Sequence, residues 1–221
     1  MSFSLGSPTG PWSKPRVVLR NYDKPDQNQS GWDCYVTNPS VVLLPDSSEV
    51  MLVFSSVPCT YFKESLGVAF APHWNDTYVQ SANAIWRPPV PKHAKTPTKG
   101  IGNIEDPFAW TDKRGNFHIV AHSQGNKNVC DDGETGHTAG VHLFATAKDG
   151  PWTPSNTAVY CSDARLTNGT MARFTTRQRP QIIFSDDGLM SPRYMVNGGS
   201  FDGWNQDVHA HERTFMFEFE S

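Results

Sequence analysis

Two adjacent carboxylates, Glu105 and Asp106, stand directly before Pro107, at the start of an apolar run ending in Trp110. Carboxyl groups of this kind can hold or move a proton when their surroundings push their affinities apart. Capping nearby backbone amides is the other role open to Asp106. Strand alternation would turn Glu105 away from the side that Asp106 faces. A third carboxylate, Asp33, lies in the Gly31-Trp32-Asp33-Cys34 loop. Arg177 and Arg179 flank Gln178 just before Pro180. Their guanidinium forks can grip a carboxylate or sulfate in two-point fashion, or pair internally with Asp106. His118 and His122 share one strand face, with His137 and His142 further along the chain. Hydrogen-bonded strand histidines are expected there rather than a metal site, and His122 is the best placed to face a channel.

These residues sit in a repeat. Asn38-Pro39 opens Ser40–Leu44, turns at Pro45–Ser48 and returns along Val50–Phe54. Asp106-Pro107 opens Phe108–Trp110, turns at Asp112–Gly115 and returns along Phe117–His122. Arg179-Pro180 opens Gln181–Phe184, turns at Asp186–Gly188 and returns along Arg193–Val196. Each unit is a β-hairpin signature with Pro at the strand entry, where a missing N–H costs least. Gly67–Ala71 and Val141–Thr146 read as third strands, followed by turns toward Tyr78 and Trp152. Ser2–Trp12 has the form of the stretch ending at Trp152, and Thr214–Phe219 reads as a third strand without a fourth. Four short strands every 70 residues or so is the plan of a β-propeller blade. We therefore expect an all-β chain of three to three and a half blades in one partial domain. Residues 1–20 would end one blade, 38–90 and 105–160 would be blades, and 178–221 an incomplete one. An immunoglobulin-like sandwich is the structural rival, but it has no such long period.

Composition narrows the partners. Net charge is −3, hydrophobic residues are 37% and charged residues 19%, which favours neither nucleic acid nor an anionic membrane. No run approaches a membrane span, and no signal peptide is visible, so the compartment stays open. The four cysteines include no C-x-x-C pair; structural zinc is not expected, and three disulfide pairings are open. An open arc of blades leaves unpaired edges that favour self-association.

Ile104–His118, with its Glu-Asp-Pro entry, Asp/Gly turn and aromatic second strand, resembles the arabinanase and xylosidase group of glycoside hydrolases, family forty-three and its relatives. Thr37-Asn38-Pro39 and Gln178-Arg179-Pro180 sit where such proteins start the flanking blades. The resemblance implies a five-bladed propeller, a carbohydrate partner and no cofactor. It assigns Asp106 to the aspartate that tunes the catalytic acid. It places the acid itself at Gln178, whose amide cannot donate a proton as an acid does. The base would lie on a blade preceding this chain. Substrate-binding candidates are then Asp33, Asn38, Glu105, His122, Arg177 and Arg179, with Trp32 and Trp204 as sugar platforms in Gly-rich loops. Trp110, inside a first strand, is expected to pack between blades. The implied function is a glycoside hydrolase, or a piece of one. A sugar-binding propeller without turnover and a protein-interaction propeller are the alternatives.

Overall fold

A computed structural model describes residues 7–20, 33–44, 48–58, 64–82, 84–87, 103–124, 130, 139–187, 190–201 and 213–219, with backbone only at 33, 34, 58 and 124. The described residues are all-β, and no helix among them is long and apolar enough to cross a membrane. The first sheet is a meander of β1 (Asp33–Leu43), β2 (Val50–Pro58), β3 (Ser65–Ala71) and β4 (Val79–Gln80). The second repeats it with β5 (Asn103–Thr111), β6 (Phe117–Gln124), β7 (Ala139–Ala145) and β8 (Thr153–Pro154). A two-stranded hairpin follows, β9 (Asp163–Arg165) with β10 (Met171–Arg173), and nothing in the repeat announced it. The third sheet holds β11 (Thr176–Phe184), β12 (Pro192–Ser200) and β13 (Arg213–Glu218). All pairings are antiparallel between sequence neighbours, and the first strands touch one another, β5 lying between β1 and β11. These are two four-stranded blades and a three-stranded one of a partial β-propeller.

Turn chemistry sets the hairpins. The Asp112 carboxylate accepts the backbone N–H groups of Arg114 and Asn116 at 2.9 Å each, which folds β5 back onto β6. Packing sets the blades face to face. Met51, Val53, Leu66 and Val68 of the first sheet meet Ile104, Ile119, Val141 and Leu143 of the second in one core. Ile119 and Leu143 are fully buried, each contributing about 1.5–3 kcal/mol. The opposite face of the first sheet carries Val50, Leu52 and Phe54, against which Val18 and Leu19 pack. Between the second and third sheets the cluster is aromatic: Trp110 and Phe108 lie against Phe184 at ring-centroid distances of 5.7 and 6.4 Å. The second blade is covered on both faces, so its strands read as nearly continuous apolar runs.

Two third-strand glycines serve this packing. A Cβ on Gly67 would sit 2.3 Å from the Phe54 ring, and one on Gly140 would sit 2.2 Å from the Tyr160 ring. Cys130 and Cys161 are disulfide-bonded, which selects one link among the pairings left open by the sequence. The apolar side chains of Val41 and Leu43 on β1, and of Ile183 and Met216 on the third sheet, are exposed.

Candidate functional site

The three pre-proline residues share one backbone device. Asn38, Asp106 and Arg179 have φ of 49°, 53° and 52°, in the left-handed region. Each falls at a register shift of its inner strand, a β-bulge that interrupts the ladder. Proline removes one N–H and steers the preceding residue away from right-handed helix, so the bulge forms at the same step in every blade. The bulge frees backbone donors, and the preceding blade accepts them. Asp106 N–H donates to Ser55 Oγ and Ala109 N–H to Ser40 Oγ, both at 2.9 Å.

The bulges bring the three side chains to one mouth. A cavity of about 160 Å³ is lined by Asn38, Pro39, Asp106, Pro107, Arg179 and Gln181. Asn38 Nδ2 donates to Asp106 Oδ1 at 2.5 Å, across 68 residues of chain. Arg179 Nη1 lies 3.6 Å from Asp106 Oδ1 and 3.5 Å from Asn38 Oδ1. Asp106 is 5% exposed, and its Oδ2 is buried without a hydrogen-bond partner among the described residues. Burial, then the neighbouring Glu105, pushes the Asp106 carboxyl above the usual range, against the pull of Arg179 and His122.

Glu105 does not turn away as strand alternation implied. The bulge after it and the left-handed Asp106 break the two-residue period. Glu105 Oε1 meets His122 Nδ1 at 3.2 Å, in register across β5 and β6. Ligand atoms of Glu105, Asp106 and His122 lie within 4.8 Å of one another, so these three are the described residues that could hold a cation. Glu64, just before β3, joins them from the first blade; burial and Glu105 push its carboxyl up to about 7. No motif marks Glu64 in the sequence. Its position three residues before the expected third strand, Gly67–Ala71, was the only available signal.

The third blade departs from the expected roles. Gln178 occupies the register of Glu105, pairing with Gly198 as Glu105 pairs with His122. It is buried and does not line the cavity. Arg177 is also buried and turned from the mouth. It donates to Asn197 Oδ1 at 3.1 Å and to the Cys161 carbonyl at 3.0 Å, with its guanidinium 4.0 Å from the Phe217 ring centroid and 4.6 Å from that of Tyr160. The Arg177 guanidinium thus pairs with these groups rather than with Asp106, and it does not line the cavity. His118 and His142 lie 3.0 Å apart under Trp110, which stacks on His118 at 4.9 Å between blades. Asp33 begins β1, but its side chain lies outside the described residues, as do Trp32, Trp204, His137, His209 and His211. Two larger cavities among the described residues, about 520 and 500 Å³, have mainly apolar walls, whereas the small one gathers polar groups from three blades.

No family model matches the chain, and no curated protein does. Solved structures do. The endo-arabinase of Bacteroides thetaiotaomicron VPI-5482 is similar with a TM-score of 0.54 at 11% identity, over 97% of this chain and 63% of that one. The endo-1,5-alpha-L-arabinanase of Thermotoga petrophila RKU-1 is similar with a TM-score of 0.50 at 15% identity, over 87% of this chain and 43% of that one. The fold thus resembles that of the five-bladed β-propeller glycoside hydrolases. The chain spans less than two thirds of the length of either.

Proposed function

We propose that this chain is a glycoside-hydrolase-type propeller that takes a sugar residue of an oligo- or polysaccharide into the mouth formed by Asn38, Asp106 and Arg179. The observation carrying this reading is the convergence of three blade entrances on one polar cavity. A sugar ring presents hydroxyls in several directions, and groups delivered from three blades can meet them at once. The two neighbours in fold are an endo-arabinase and an endo-1,5-alpha-L-arabinanase by name, which supports a polysaccharide as partner. Asp106 is the carboxyl group at the cavity, and its raised proton affinity suits a role in acid–base work.

Hydrolysis needs one group to protonate the leaving oxygen and another to activate water or attack. At the register expected to bear the acid stands Gln178, an amide. That observation favours a second reading, a carbohydrate-binding propeller without turnover. A panel of aryl glycosides and oligosaccharides, assayed for hydrolysis and by calorimetry, separates the two. The first reading predicts turnover that falls at least about a hundredfold in Asp106→Asn. Turnover that survives this change removes Asp106 from the mechanism. Binding with no turnover supports the second reading, and neither binding nor turnover rejects both.

A further inference from the structure

We propose that Arg179 makes the mouth selective for an oligosaccharide bearing an anionic substituent, a uronic carboxylate or a sulfate ester. The inference rests on the reading of this cavity as a sugar site.

Arg179 holds φ 52° before Pro180, the same device that delivers Asp106 and Asn38 to the cavity. Left-handed backbone is uncommon for a side chain as long as arginine, and easier for Asn or Asp. A guanidinium therefore stands where the second blade presents a carboxylate and the first an amide.

Its internal pairing is incomplete. The Asp106 contact, at 3.6 Å, is an ion pair beyond hydrogen-bond length, and the Asn38 contact is at its limit of 3.5 Å. Asp106 Oδ1 already accepts Asn38 Nδ2 at 2.5 Å. Nε and Nη2 of Arg179 have no hydrogen-bond partner among the described residues. Arg177, two residues earlier, shows the alternative: buried, bonded to Asn197 and the Cys161 carbonyl, and covered by rings. Exposure separates the two charges at the mouth. The Arg179 side chain is 61% exposed and that of Asp106 is 4% exposed, so an incoming ligand meets the guanidinium. A planar fork with free N–H groups matches the paired oxygens of a carboxylate or sulfate. Asn38 and Gln181 remain beside it for hydroxyls.

Calorimetry at low salt on the full chain tests this with four probes: an oligouronide, its carboxyl-reduced counterpart, a sulfated oligosaccharide and its desulfated form. At least one charged probe should bind about tenfold or more tightly than its neutral partner, and added salt should narrow that ratio. The tighter charged probe names the substituent. In Arg179→Gln the ratio should collapse toward one, with Arg179→Lys in between because an ammonium lacks the fork. If Arg179→Gln fails to fold, the wild-type ratio and its salt dependence decide alone. Neutral probes binding as tightly as both charged ones would overturn this inference and leave the sugar site standing. An unchanged ratio in Arg179→Gln would do the same. Absence of binding by all four would overturn the sugar site as well.

Discussion

The entrances of β5 and β11 share a backbone and differ in almost everything attached to it. Both place a left-handed residue before proline at a bulge, with φ of 53° and 52°. At β5 the charge is inward: Asp106 is buried, with Glu105, His122 and Glu64 behind it. At β11 the residue in the register of Glu105 is the neutral Gln178, and the charge of Arg179 points to solvent. The bulge thus fixes where a side chain emerges without fixing its chemistry. Proline and the hydrogen-bond demands of the freed N–H groups set the geometry, and each blade is free to vary the functional group. The two entrances also meet, with Arg179 Nη1 3.6 Å from Asp106 Oδ1.

Three substitutions sharpen the contrast. Arg179→Asp copies the second blade's chemistry onto the third and exchanges an attraction for a repulsion beside Asp106. It should cost about 2 kcal/mol at pH 8 and much less at pH 4, where a proton neutralises the pair, as measured by urea unfolding. A cost independent of pH would mean that the charges do not meet. Ser55→Ala removes the acceptor of the Asp106 N–H and leaves a buried donor unpaired. The expected loss is about 1–2 kcal/mol, against a few tenths for an exposed serine such as Ser191.

Glu64→Gln probes the buried side of the β5 entrance. In the folded chain Glu64 keeps a proton up to about 7, whereas the unfolded chain loses it near 4.5. Wild-type stability should therefore fall as pH rises through that window. The variant should lack this slope, match wild type near pH 4 and exceed it by roughly 1 kcal/mol at pH 8, after allowance for solvent screening. Equal slopes would show that Glu64 ionises freely in the fold.

Much of the architecture was legible because its signals are local. The Pro39, Pro107 and Pro180 entries, the Asp112–Gly115 turn and the apolar second strands each report on neighbours within a few residues. Most of the site was not legible, for reasons that are equally physical. Glu64 reaches Glu105 only through the packing of one blade on the next. Glu105 itself turns inward because a bulge cancels the alternation by which its direction was read. Arg177 was expected to face a ligand or Asp106, yet its partners are a carbonyl, Asn197 and aromatic rings from distant segments. The β9–β10 hairpin has three-residue strands with little apolar content, too short for periodicity to register.

The convergence of blade entrances is tested most directly by a double-mutant cycle on Asn38 and Asp106, using Asn38→Ala, Asp106→Ala and the pair. Residues joined by the 2.5 Å hydrogen bond should show a coupling energy of about 1 kcal/mol or more in unfolding free energy. Additive losses, with coupling within error of zero, would place the two blade entrances apart and contradict the shared mouth.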